Sequence, residues 1–122
     1  MATILIAQSL LFADGGITAL GANILNMGII APIVGYVIYK SLSKWRFRSS
    51  IFIASWVSIV LSAAACAVEL SLSDTIPLNV SLPAMVSVHA LIGIGEGLIT
   101  VFVILAIEKL NPDLVAKGSI TS

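Results

Sequence analysis

Charge is the scarcest commodity in this sequence: twelve of its 122 residues are Asp, Glu, Lys or Arg, 10% of the chain, where an ordinary soluble domain has about a quarter. The six basic and six acidic residues cancel, so no net field draws the chain to nucleic acid. A single cysteine, Cys66, excludes an internal disulfide and a thiolate zinc site. There is one histidine, His89, and no HExxH, no GxSxG and no Gly-rich phosphate loop, so no enzyme is expected. Gly93, Gly95 and Gly97 have part of a dinucleotide-fingerprint spacing, but no strand precedes them and they lie in an apolar run, which makes the match noise.

Apolar residues fill the chain instead, at 59% of the sequence and a mean hydropathy of +1.14. They come in long continuous runs and do not alternate, which excludes a membrane barrel and predicts an all-α membrane protein. At about 20 residues per span across a hydrocarbon core of about 30 Å, there is room for three or four spans in one integral membrane domain over residues 1–122. Three full spans are expected, roughly Ile17 to Tyr39, Ser50 to Leu72 and Leu82 to Ile107.

The basic residues set the orientation. Lys40, Lys44, Arg46 and Arg48 share one short polar stretch, and Lys109 and Lys117 lie near the carboxyl end, which puts both regions on the cytoplasmic side. The loop Ser73 to Ser81 contains Asp74 and Pro77 but no Lys or Arg and faces outward. The run Met1 to Ala13 would reach only about 20 Å as a helix before Asp14, Gly15 and Gly16 interrupt it. It lacks the basic flank and cleavage site of a signal peptide. The expectation is a partial amino-terminal helix, the outer part of a longer one that begins before Met1.

Ionisable groups inside a span cost several kcal/mol by most scales and turn toward protein or water. Here they are Glu69, His89 and Glu96, joined by the amides of Asn23 and Asn26 and by Asp14 at the outer edge. Depth counted from the span ends puts Glu96 near mid-membrane and most of the others in the outer half, an arrangement suited to loading from outside. Along the third span His89, Gly93, Glu96, Gly97 and Thr100 form one helical stripe, and Gly93 with Gly97 is a GxxxG packing pair. Ser55, Ser58, Ser62, Ala65, Cys66 and Glu69 give the second span a matching small and polar side, and Ala19, Asn23 and Asn26 give the first span another.

Each of these residues also has a plainer role. His89 reads first as a hydrogen-bonded structural residue and only second as a metal ligand. Glu96 fits a protonated carboxyl bonded to a neighbouring helix as well as it fits transport. Asn23 and Asn26 suit interhelical hydrogen bonding, Gly93, Gly97 and Glu69 suit packing, and Met27 and Met85 suit the core unless a soft metal binds.

Two segments carry a family likeness. Gln8 to Gly28, QSLLFADGGITALGANILNMG, and Val88 to Thr100, VHALIGIGEGLIT, closely resemble motifs of the CbiM/NikM family, with a weaker AxxAVEL-like segment around Ala64 to Leu70 between them in the same order. The resemblance runs from about Gln8 to Leu114. It implies the membrane-embedded substrate-capture (S) component of an energy-coupling-factor importer for Co²⁺ or Ni²⁺, in the plasma membrane and with a cytoplasmic carboxyl terminus. It implies further that this chain is the carboxyl-terminal part of a larger seven-helix-type bundle that works with a T-type transmembrane subunit and cytoplasmic ATPases.

Members of that family begin with a Met-His segment whose amine, backbone nitrogen and imidazole bind the ion, and a histidine from an internal segment of the amino-terminal half completes the site. Met1 is followed here by Ala2, Thr3 and Ile4, so the resemblance carries over no ligand. It makes Asp14, Asn23, Asn26, His89 and Glu96 pocket-wall or second-shell candidates. One imidazole is also too few for a multi-nitrogen Co²⁺ or Ni²⁺ site, so no cofactor or metal is expected on this chain alone. The function expected is metal-ion import as an incomplete S component. The alternative is a structural membrane fragment that binds no metal of its own and assembles with a separate amino-terminal half.

Overall fold

The computed structural model describes residues 3, 6, 7, 10, 20–42, 44 and 46–113, and among them there is no strand. Thr3, Ile6, Ala7 and Leu10 are helical and exposed. The rest of the run Met1 to Ala13, and the turn at Asp14, Gly15 and Gly16, lie outside the described residues.

Helix α1 (Leu20–Leu25) passes into a π-helical turn, Asn26–Ile30, and then into α2 (Ala31–Leu42). The π turn is fixed by the Ala31 N–H, which donates to the Asn26 carbonyl five residues back. The segment expected as the first full span, Ile17 to Tyr39, is thus described from Leu20 onward and is not one uninterrupted α-helix. Hydropathy could not foresee this, because a π insertion changes the hydrogen-bond ladder and leaves the composition apolar.

Helices α3 (Phe47–Leu72) and α4 (Leu78–Leu110) are both long and apolar enough to cross a membrane. At 26 and 33 residues they extend about 39 and 50 Å, more than a core of about 30 Å requires. Helix α4 begins four residues before the Leu82 expected for the third span. Pro77 is the reason, since it ends the loop in an extended conformation (ψ 139°) and cannot itself continue a helix from the amino-terminal side. Leu78 to Ser81, read from the sequence as loop, are therefore helical.

The turn between α3 and α4 closes as a Schellman motif. The Asp74 N–H donates to the Ser71 carbonyl at 3.1 Å and the Thr75 N–H to the Leu70 carbonyl at 3.1 Å. Asp74 takes a positive φ of 53°, a left-handed conformation that Asp tolerates better than most residues. At the other end, the Ser50 hydroxyl bridges the carbonyls of Leu42 (2.6 Å) and Arg46 (3.0 Å), which supplies a partner to a carbonyl orphaned at the end of α2.

Helix α3 lies between α2 and α4 and packs against both. Its buried residues are Ser50, Ile51, Ala54, Ser58, Ser62, Ala63 and Ala67, nearly all small, which lets helix backbones approach closely. Opposite them Gly93 and Gly97 are buried on α4. A Cβ at Gly93 would stand 3.0 Å from Trp56 Cδ1, and one at Gly97 would stand 2.9 Å from the Phe52 ring. The Trp56 indole also donates to the Ala90 carbonyl at 2.9 Å, locking α3 to α4 where the glycines make room. The large apolar side chains point away from this core: Leu72, Leu91 and Phe102 are 80%, 73% and 73% exposed. A soluble monomer rarely exposes so much apolar surface, and lipid accepts it.

Candidate functional site

Polar side chains gather where the π turn meets α3. Asn26 is 3% exposed and is tied in through both its side chain and its carbonyl. Its Nδ2 donates to Glu69 Oε2 at 2.9 Å, and its carbonyl accepts from the Ala31 N–H and from the Ser62 hydroxyl at 3.2 Å. The one-residue insertion thus leaves a carbonyl that α3 can reach, a common consequence of π turns near functional sites. Asn26 Oδ1 is buried and has no partner among the described residues.

Between these groups and α4 lies a cavity of about 380 Å³, with Asn26, Ser55, Ser62, Cys66, His89 and Glu96 in its wall. Ser55 and Thr100 share a hydroxyl contact of 3.3 Å across the α3–α4 interface. His89 is half-buried, and its Nδ1 lies 2.8 Å from the Met85 carbonyl. A carbonyl only accepts, so Nδ1 is the donor in this contact. Glu96 is exposed on this chain; its backbone carbonyl accepts from Thr100 Oγ1 at 2.8 Å, and its carboxyl group has no hydrogen bond or ion pair among the described residues.

Of the residues singled out from the sequence, Asn26, His89 and Glu96 thus share one cavity. Glu69 joins them through Asn26, while Gly93 and Gly97 sit behind, against Trp56 and Phe52. The backbone of Asn23 belongs to α1; its side chain and the whole of Asp14 lie outside the described residues. Ser62 and Cys66, expected on the small and polar side of the second span, and Met27 and Met85, expected in the core unless a soft metal binds, all line the cavity. The signal for the first two was their helical register with Ser55 and Glu69. Among the described residues there is no group of three or more His, Cys, Asp and Glu side chains placed to hold a metal ion.

Residues 1–114 match the protein family described as the cobalt uptake substrate-specific transmembrane region, CbiM. The chain belongs to the CbiM family. It is 43% identical over 119 residues to a protein of Archaeoglobus fulgidus named as a fused nickel transport protein, NikMN, an alignment that covers 96% of this chain and 40% of the relative. To the cobalt transport protein CbiM of Desulforamulus reducens it is 33% identical over 118 residues, 91% of this chain and 47% of the relative. A Lactiplantibacillus plantarum protein named as a fused nickel transport protein, LarMN, is 34% identical over 123 residues, 88% of this chain and 38% of the relative. The chain therefore spans less than half the length of each of these three relatives. No solved structure matches it.

Proposed function

We propose that this chain is part of the membrane-embedded substrate-capture component of an ATP-driven importer for cobalt or nickel ions. The observation that carries the reading is the CbiM-family match over residues 1–114. The structure is consistent with it: polar groups converge inside an otherwise apolar, membrane-capable bundle, where ionisable side chains are costly and commonly mark a transport path. In this reading the path from Leu20 to Leu42 crosses the membrane despite its π turn and forms the third full span. The basic stretch Lys40 to Arg48 and the carboxyl end lie in the cytoplasm, beside the ATPases and the T-type subunit. A polypeptide bearing the Met-His segment, separate or joined to this chain, completes the seven-helix-type bundle and supplies the outer ligands. Asp14, Asn23, Asn26, His89 and Glu96 form the wall beneath that site and orient what binds there.

The test is reconstitution in cells that lack cobalt and nickel uptake. Expressed with a family amino-terminal half, a T-type subunit and the ATPases, the chain should yield uptake of radioactive Co²⁺ or Ni²⁺ that an ATPase-inactive control lacks. A second reading, an assembly fragment without a metal role, is favoured by the lack of a ready ligand cluster among the described residues. The chain would then co-purify with the other subunits, and its substitution at Glu96 would leave uptake unchanged. Failure to co-purify better than an unrelated membrane fragment would overturn both.

A further inference from the structure

Cations crowd one end of the chain's long helices without counter-ions. Lys40, Lys44, Arg46 and Arg48 fall within nine positions, and no Asp or Glu occurs between Asp14 and Glu69. Glu69 stands 21 residues beyond Arg48 on α3, about 32 Å along the helix axis. Lys40 lies over the Tyr36 ring at 5.8 Å, whereas the Arg48 guanidinium has no hydrogen bond or ion pair among the described residues. Arg48 and Ser49 stand at one end of a groove of about 420 Å³ between α3 and α4, whose remaining lining is the apolar set Phe52, Ile53, Leu98 and Val101. The groove shares no residue with the polar cavity. Its depth follows from the helix packing, because Phe52 is the ring that closes onto Gly97, while Ile53 and Leu98 stay exposed.

We infer that this groove seats an anionic phospholipid, with its phosphate on the Arg48 guanidinium and the upper part of one acyl chain against Phe52, Ile53, Leu98 and Val101. Depth agrees with this. A guanidinium is costly in hydrocarbon, which holds the first turn of α3 at the head-group layer, and α3 is longer than the hydrocarbon core requires. From Arg48 to Ile53 the groove then runs about 7.5 Å along the axis toward the membrane interior, in the direction an acyl chain takes from its phosphate. Charge agrees as well, since a planar guanidinium matches a phosphate with two parallel hydrogen bonds and the other three cations add a positive field. An acidic peptide or a free phosphate would use the cations alone; the apolar groove beside Arg48, open on the same exposed side as Ile53 and Leu98, selects a ligand that is anionic at one end and hydrocarbon at the other. In the proposed orientation that end faces the cytoplasmic leaflet, where anionic lipids attract basic segments of membrane proteins. The site is independent of which ion the bundle handles.

The full chain, purified in detergent, is titrated with dioleoyl phosphatidylglycerol and followed by native mass spectrometry, with dioleoyl phosphatidylcholine as the neutral control. Saturable retention of one phosphatidylglycerol per chain is expected, and little of the control lipid. Arg48→Gln should weaken retention about tenfold, the scale of a lost charge-assisted hydrogen-bonded pair. Arg46→Gln removes the same charge outside the groove lining and should cost clearly less. Leu98→Trp, which fills the groove and leaves every charge in place, should also weaken retention, while Leu91→Trp, exposed on α4 away from the groove, should match wild type. Should Arg48→Gln lose its helical circular dichroism, Arg48→Lys carries the test, keeping the charge without the planar fork and giving an intermediate loss. Equal losses for Arg46→Gln and Arg48→Gln would overturn the site in favour of a diffuse field from the basic stretch, and equal retention of the two lipids would reduce it to ordinary hydrophobic contact. Displacement of the lipid by millimolar inorganic phosphate, together with unchanged retention in Leu98→Trp, would make it an anion site with no place for a lipid tail. Labelling that inverted the topology while Arg48-dependent retention persisted would count against the orientation alone.

Discussion

Gly93, Gly95 and Gly97 are spaced at alternate positions on α4 and offer an internal control on how tightly α3 and α4 are packed. Replacing each with Ala adds the same methyl group to the same helix, and the gain in helix propensity, about 1 kcal/mol, is common to all three. The surroundings differ. At Gly95 a Cβ meets no described atom within 4 Å, whereas at Gly97 it would stand 2.9 Å from two carbons of the Phe52 ring. Those carbons are on the side of the ring, so relief requires moving the whole side chain or parting the helices, at about 1–3 kcal/mol for an overpacked site. Propensity cancels in the comparison, so Gly97→Ala should be less stable than Gly95→Ala by about 1–3 kcal/mol. Gly93→Ala presses on Trp56 at 3.0 Å and strains its bond to the Ala90 carbonyl, an added loss of about 1 kcal/mol. Denaturation in mixed micelles, followed by circular dichroism, measures the differences. Equal stabilities for the Gly95→Ala and Gly97→Ala proteins would show that the α3–α4 interface is looser than described, and the packing argument would fail.

Two further outcomes test the orientation and the polar cluster. In a Cys66→Ser background, a membrane-impermeant maleimide applied to intact cells should label Asp74→Cys and spare Lys44→Cys, since the basic stretch is expected inside; the reverse pattern would invert the proposed topology. A double-mutant cycle with Asn26→Leu and Glu69→Leu should give a coupling of about 0.6–1.7 kcal/mol, the range for interhelical hydrogen bonds in membranes, while Glu69→Gln, which keeps an acceptor for Asn26 Nδ2, should change stability little; zero coupling would mean that the bond of 2.9 Å contributes nothing.

Helical character, the two long membrane-capable helices and the family were legible in the sequence because each depends on composition or on a contiguous motif. Hydropathy located α3 to within three residues at its start and placed its end at Leu72. It could not find the π turn, because nothing in the side chains of Asn26 to Ile30 distinguishes a five-residue from a four-residue hydrogen-bond step. It also placed the start of α4 too late, because Leu78 to Ser81 are helical by backbone bonding outside the most apolar stretch. For the site, helical spacing put His89 and Glu96 on one stripe, but which α3 residues oppose them depends on the rotation of α3 about its axis. That rotation is set by the Trp56–Gly93 and Phe52–Gly97 contacts, between residues separated by some 40 positions in sequence, and a single sequence does not pair them.

The cost of the polar cluster bears on its purpose. Stability alone would be served by apolar side chains here, since replacing a buried polar group such as Asn26 with a well-packed hydrophobic one is often neutral or stabilising and a lipid-embedded helix gains nothing from an unpartnered carboxyl group at an exposed position such as Glu96. Among the described residues their side chains make few bonds: one from Asn26 to Glu69, and one from His89 back to its own helix at Met85. Neither uses Asn26 Oδ1, and neither involves the Glu96 carboxylate. Local rules of stability are broken at these three positions together, on two separate helical segments that converge on one cavity, and such breaches tend to mark function. The packing contacts, by contrast, obey those rules: Gly93 and Gly97 are glycines where rings approach, and α3 is small where helices close. The fold therefore separates two tasks along a single helix, with glycines on α4 holding α3 close while His89 and Glu96, within one or two turns of them, line the cavity.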